Sequence, residues 1–278
     1  MKLAVSTVCF DGYDLETSFK CLKEMNVKNV EIAYIDGYIP FKEEDLTPKK
    51  GQEINALLNK YDLTPTTVGA HIDFGAKDAV ERISRRIIFT KNIGAPIVIS
   101  NSCFIEDEEQ IICNINQDNA IAKEHNIIIA LENTGFQRKT LCSDAKTLSD
   151  LIIKLNLSHV KANYDTANVV THYWENINEL KNLHKLNDVM CCLHLKDTRP
   201  TATGCYQMCN VGTGVVNNKE YLNYFKNLEI VVTLEMPMRI SWDSNHQLAK
   251  QKDPLPLKDI CDKVNYSYQW AKNLIEGL

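Results

Sequence analysis

Four short segments end an apolar run on a side chain that can bind a cation: Leu131-Glu132-Asn133, Tyr164-Asp165-Thr166, Leu193-His194-Leu195 and Leu234-Glu235-Met236. The four runs follow one another through the second half of the chain. Ends of successive strands meet at one point only if the strands are parallel neighbours. Three carboxylates and one imidazole at one point make an oxygen-rich, hard ligand set. Such a set suits Mn2+, Mg2+ or Co2+, with water or substrate oxygens completing the shell, whereas structural zinc usually takes cysteines or more histidines. One acid at a strand end is often a helix cap or a salt-bridge partner. Four in register are harder to explain in that way.

The elements that must position these residues alternate along the chain. Strand-like runs lie at Leu3–Val8, Asn29–Ala33, Thr66–Ala70, Pro96–Ser100, Ile127–Leu131, Val160–Tyr164, Val189–Leu193 and Ile230–Leu234. Most are short, rich in Val and Ile, and apolar on both faces, as strands covered on both sides are. Helical patterns lie between them at Leu15–Met25, Gly51–Lys60, Ala76–Asn92, Asp107–His125, Asp144–Leu155, Ile177–Leu186 and Lys219–Lys226, with a last one over Ile260–Leu278. Ser143 precedes one of them as an N-cap signal. The alternation predicts a single-domain (β/α)8 TIM barrel over residues 1–278, whose active site lies at the C-terminal strand ends. A doubly wound open sheet would carry a glycine-rich turn after its first strand, and Ser6-Thr7-Val8-Cys9-Phe10 is no such turn.

Further residues at predicted strand ends would fill out a pocket. Glu31 ends the second strand, His71 follows the third and Asn101 the fourth; Lys196, Asp197 and Arg199 follow His194. Lys196, two residues past His194 on the same face, could hold a ligand carboxylate or a substrate oxygen, and Asp197 reads as a turn cap or as a contact behind the metal ligands. Val211-Gly212-Thr213-Gly214 is either a backbone approach to a phosphate, a lid or an ordinary tight turn.

The composition excludes several classes. The chain has 278 residues, 44% hydrophobic and 24% charged, and a net charge of −5, so no basic footprint for nucleic acid or an anionic membrane is visible. The N-terminus lacks the pattern of a signal peptide, and no apolar run approaches the ~18 residues of a membrane helix. A cytoplasmic protein is expected, its ten cysteines free thiols.

At these residues the chain resembles the xylose isomerase-like TIM-barrel superfamily, which holds ketose 3-epimerases, inosose isomerases and dehydratases, and endonuclease IV. The resemblance runs through nearly the whole chain. It is most specific at Ala130–Asn133, Tyr164–Asn168, His194–Pro200, Val211–Val216 and Leu234–Pro237. The branch it looks most like is that of L-ribulose-5-phosphate 3-epimerase and its hexulose-6-phosphate relatives, with Gly69-Ala70-His71 and Asp165, Asn168 and Trp174 in similar order. Arg199 stands where that branch has lysine, the loop at Asn210–Gly214 lacks the branch's acid, and Met236-Pro237-Met238-Arg239 replaces its aromatic-acid pair. Similarity to endonuclease IV at Leu131–Gly135 comes without the additional histidines that a three-zinc cluster needs.

The resemblance implies a divalent-metal-dependent epimerase or isomerase acting on a ketose or ketose phosphate, a 3-epimerase first. Glu132 and Glu235 would be metal ligands and acid/base groups on opposite faces of the substrate carbon, and Asp165 and His194 the remaining ligands. His71, Lys196, Arg199, Asn168, Glu31 and Asn101 would bind substrate. One metal ion is implied, Mn2+ first, with Mg2+, Co2+ or Zn2+ as alternatives. The same groups serve isomerisation, or dehydration as in the inosose enzymes; an endonuclease IV-like phosphodiesterase is the remoter alternative. The implied partners are small sugars or sugar phosphates, with no nucleic acid and no membrane, and a homo-oligomer is left open.

Overall fold

The first barrel strand, β1 (Lys2–Ser6), is buried along its whole length except at its first residue, and the same holds with little change for the strands beside it. The computed structural model describes residues 1–134, 139–173, 179–243 and 247–277. Trp174 and Gly135 lie outside the described residues. The barrel strands are β1, β2 (Asn29–Ala33), β3 (Thr64–Gly69), β4 (Ile97–Asn101), β5 (Ile128–Glu132), β6 (Val160–Asp165), β7 (Met190–Leu195) and, after two short strands, β10 (Val231–Leu234). All pair in parallel and close in the order β1-β2-β3-β4-β5-β6-β7-β10. The expected single-domain TIM barrel is therefore the observed fold.

The helices α1 (Leu15–Glu24), α2 (Pro48–Lys60), α3 (Ala79–Ile93), α4 (Glu108–His125), α5 (Ala145–Leu155), α6 (Asn168–Tyr173), α7 (Asn218–Phe225) and α8 (Leu257–Glu276) run between and after the strands. Local chemistry starts and stops them. Asp14 caps α1 by accepting from the Thr17 amide at 2.7 Å. The cap of α5 is Asp144, one residue later than the Ser143 signal suggests, because its carboxylate accepts from the Thr147 amide at 2.7 Å. Gly94, Asn126 and Asn156 end α3, α4 and α5 in the left-handed conformation, which glycine and asparagine adopt most readily.

Two features depart from the sequence reading. The helix expected over Ile177–Leu186 is a 3-10 helix over Glu179–Leu186, and a short α6 precedes it. Four three-residue strands were not foreseen: β8 (Thr198–Pro200), β9 (Tyr206–Met208), β11 (Ile240–Trp242) and β12 (Leu248–Lys250). They form an antiparallel sheet in the order β12-β11-β9-β8, made from the loops that follow β7 and β10. This sheet stands at the C-terminal end of the barrel and walls one side of its mouth. No described helix is long and apolar enough to cross a membrane.

Candidate metal centre and active-site cavity

Strand register delivers the four cation-binding side chains. Asp165 on β6 pairs with His194 on β7, and Asn101 on β4 pairs with Glu132 on β5. Glu235 follows β10, and its amide donates to the Leu195 carbonyl at 3.1 Å, extending the ladder by one residue. Glu132, Asp165, His194 and Glu235 are all buried, and one ligand atom from each lies within 4.8 Å of the others.

The atoms left over test whether a cation fits. His194 Nδ1, Asp165 Oδ2 and Glu235 Oε2 are buried without a hydrogen bond of acceptable geometry. His194 Nδ1 stands 3.0 Å from Glu235 Oε2 and 3.1 Å from Glu132 Oε2. A divalent ion about 2.1 Å from each of two ligands at a right angle separates them by roughly 3.0 Å. Four buried carboxyl groups (Glu31, Glu132, Asp165 and Glu235) face one ammonium and one imidazole. Such an excess of acid in a buried site calls for a cation. The residues therefore fit one divalent ion.

Three of the four side chains, Asp165, Glu132 and His194, are fixed from behind. Asp165 Oδ1 accepts from the amides of Ala167 at 2.8 Å and Asn168 at 2.9 Å, which starts α6 and leaves Oδ2 for the site. Asn133, a residue the sequence reading left without a role, brackets Asp165: it donates to the Asp165 carbonyl at 3.0 Å and accepts from its amide at 2.6 Å. Glu132 accepts from Asn163 at 2.7 Å and from Asn168 at 3.0 Å. Glu31 does not line the cavity. It lies behind His194, where Oε2 accepts from Thr67 at 2.7 Å and faces His194 Nε2 at 3.0 Å. That contact assigns the proton to Nε2 and turns Nδ1 into the site.

Lys196 Nζ reaches Asp165 Oδ2 at 2.6 Å and Glu235 Oε2 at 2.5 Å. A carboxylate oxygen has lone pairs for both an ammonium and a metal ion. Burial opposes the charge on Glu235, but Lys196 and His194 hold its carboxyl well below the usual range. Glu132 is also lowered, with His194 and His71 outweighing its burial. Burial pushes Asp165 up to about 6 in spite of Lys196. Burial likewise opposes the charge on His194, yet Glu31, Glu235 and Glu132 raise its pKa well above the ordinary value.

The quartet opens into a cavity of about 720 Å³. Of the residues proposed for substrate, His71, Asn101, Asn168 and Lys196 line it. His71 Nδ1 meets Asn101 Oδ1 at 2.7 Å, and its Nε2, 4.0 Å from Glu132 Oε2, has no hydrogen-bond partner. Arg199 is not brought to the site; it is exposed on β8, where its backbone pairs with Gln207. The glycine loop is not a phosphate cradle. The amides of Gly212, Gly214 and Val216 all donate to the Asp197 carboxylate, at 2.9, 2.9 and 3.1 Å. A Cβ at Gly214 would lie 2.1 Å from Asp197 Oδ1, so only glycine admits this close turn. Asp197 is the turn cap that its position suggested.

Sequence reasoning missed other residues of the cavity lining: Tyr38, Arg82, Phe104 and Trp242, with Ile35, Ile72 and Leu248. Tyr38 follows β2. Burial, with the quartet's carboxylates opposing Lys196, pushes its phenol up to about 12, so it stays a neutral hydroxyl. Lys250 on β12 donates to the carbonyls of Gly37 and Tyr38 and lies 3.0 Å from Asp11 Oδ2, which fastens the small sheet to the Tyr38 turn. No period in the sequence marks these residues, because they come from loops, from the three-residue strands β11 and β12 and from the first turn of α3.

A closed parallel barrel with three carboxylates and an imidazole converging at its C-terminal mouth is the class that fold and site define. The xylose isomerase-like TIM barrel family matches residues 19–254, and the chain belongs to it. No curated protein matches the chain. Among solved structures it is similar to a D-allulose 3-epimerase from Methylomonas sp. (TM-score 0.73, 13% identity, covering 99% of this chain and 98% of that one). It is also similar to a probable 3-DHS dehydratase, AsbF, from Bacillus anthracis (0.70, 15%, 98% and 99%) and to a zinc-bound IolI protein (0.72, 15%, 99% and 98%). At such identities the likeness is one of fold.

Proposed function

We propose that the protein is a divalent-metal-dependent epimerase or isomerase of a ketose or ketose phosphate, acting by proton transfer beside the carbonyl. The observation that carries this reading is the placement of Glu132 and Glu235 about His194 Nδ1, at 3.1 and 3.0 Å, with both acids at the floor of the cavity. When bound, the ion supplies Lewis-acid polarisation of the substrate carbonyl. Glu132, Asp165, His194 and Glu235 would hold it, with Mn2+ the first candidate. The lowered pKa values of Glu132 and Glu235 keep both ionised at neutral pH, so either can accept a proton. One takes the proton from the carbon beside the carbonyl; the other, after picking up a proton from solvent, delivers it to the opposite face, which inverts the centre, and the first then returns its proton to solvent. Lys196 steadies Glu235 and Asp165. Tyr38 can donate a hydrogen bond, and in this reading His71 and Asn101, which line the cavity, bind substrate hydroxyls.

Relatives named for 3-epimerisation support epimerisation as the first outcome. Isomerisation and loss of a β-hydroxyl need the same first proton transfer. The test is a panel of ketoses and ketose phosphates followed by NMR in deuterated water with Mn2+. Solvent deuterium should enter the carbon beside the carbonyl, chelation should stop it, and Glu132→Gln or Glu235→Gln should slow it by at least a hundredfold, the usual scale of a lost acid or base. Turnover that survives chelation, or turnover without deuterium, would overturn the proposal. The product then tells epimer, isomer and dehydrated sugar apart.

A further inference from the structure

Among the described residues, the cavity holds one full positive charge that the site does not use. Arg82 lies in the first turns of α3, at the mouth, and lines the cavity with His71 and Lys196. Its contact with an acid is loose: Nε stands 3.5 Å from Glu43 Oε2. Both oxygens of Glu43 already accept from Arg86, Oε1 from Nη1 and Oε2 from Nη2 at 3.0 Å. Arg85 shares Glu43 at 3.5 Å and pairs with Glu81 at 2.8 Å. Three guanidinium groups thus stand against two carboxylates. The Arg82 side chain makes no hydrogen bond among the described residues, which leaves both its Nη atoms uncommitted. Two acids, Asp36 and Asp73, also line the cavity, but neither is within ion-pair distance of Arg82. Each accepts from a nearby backbone amide instead, Asp36 from Gly37 at 2.8 Å and Asp73 from Gly75 at 2.7 Å.

Among the described residues, the lysine, the other arginine and the loop amides that could take an anion are committed or lie elsewhere. Lys196 bridges Asp165 and Glu235, the glycine-loop amides are spent on Asp197, and Arg199 lies outside the cavity. A guanidinium fork with free donors matches a carboxylate or a phosphate in bidentate geometry. We infer that the substrate carries an anionic oxyacid group, carboxylate or phosphate, away from its reacting carbon, and that Arg82 is the specificity-determining residue that holds it. This rests on the reading of the cavity as the site of a hydroxyketone, but its binding test does not depend on turnover.

The probes are fructose, fructose 6-phosphate and 5-ketogluconate, which put a neutral end, a phosphate and a carboxylate on similar hydroxyketones. Each is titrated calorimetrically into the full-length, Mn2+-loaded protein and into its Arg82→Ala and Arg82→Lys variants. At least one anionic probe should bind on the order of tenfold tighter than fructose. Arg82→Ala should abolish that gain, Arg82→Lys should keep part of it, and fructose should bind all three proteins alike. The probe that shows the gain tells phosphate from carboxylate. Anionic probes that bind no tighter than fructose would overturn the inference. So would a gain that survives Arg82→Ala, because the anion would then sit on the metal or on Lys196. Arg82-dependent binding without deuterium exchange in any of the three would count against proton transfer and leave the anion anchor standing.

Discussion

Glu31 shows how much a residue that touches neither cation nor substrate can decide. It faces His194 Nε2 at 3.0 Å and is held in place by Thr67. A carboxylate behind an imidazole fixes its tautomer and raises its basicity as a ligand. Glu31→Gln keeps the shape but removes the charge. Mn2+ affinity, measured by competition with a chromophoric chelator, is expected to fall about 10–100-fold, the range found for such outer partners. Unchanged affinity would mean that Glu31 does not orient His194. At this scale the quartet itself was legible in the sequence, because each member closes an apolar run. The partners behind it were not. Asn133 was visible only as part of a motif, and Glu31 read as a substrate residue, because nothing in one strand says which neighbour its side chain will meet.

Among the elements, α4 carries a group that works against stability. Asp118 is fully buried, neither carboxyl oxygen has a hydrogen-bond partner, and burial pushes its pKa up to about 8. The folded state therefore keeps the proton that the unfolded chain releases near pH 4. Between about pH 4 and pH 8 the folded state binds more protons at this position, so its contribution to stability falls as pH rises. Asp118→Asn removes that dependence. The variant's advantage over the native chain should grow by about 1 kcal/mol per pH unit across this window, seen as a widening gap in Tm. A gap that stays constant from pH 5 to pH 8 would show that Asp118 finds a partner in solution. Helices and barrel strands were readable from their apolar periods and end signals, and their observed bounds differ from expectation by a few residues. The strands β8, β9, β11 and β12 were not, since three residues hold no period and pairing across long loops leaves no local mark.

In the whole molecule, folding and the metal site are coupled. The strand ends are brought together only by closure of the barrel, so an ion that binds the quartet binds the folded state and not the unfolded chain. At a free Mn2+ concentration one hundred times Kd, the native state should gain about 2.7 kcal/mol. For a domain of this size that raises Tm by several degrees. Scanning calorimetry of chelated and Mn2+-loaded protein checks this, and a Tm no higher with Mn2+, Mg2+, Co2+ or Zn2+ than in the chelated protein would remove the metal from the site.

The sequence by itself determined the barrel and the quartet. Period-two and period-3.6 patterns are local, and a cation-binding side chain at the end of a buried strand is a local signal as well. Only the tertiary structure decided what surrounds that quartet. It placed Glu31 behind His194, gave the glycine loop to Asp197, carried Arg199 away on β8, and brought Tyr38, Arg82 and Trp242 to the cavity. Those positions depend on strand register, barrel closure and loop–loop pairing between residues far apart in the chain, and no local pattern encodes them.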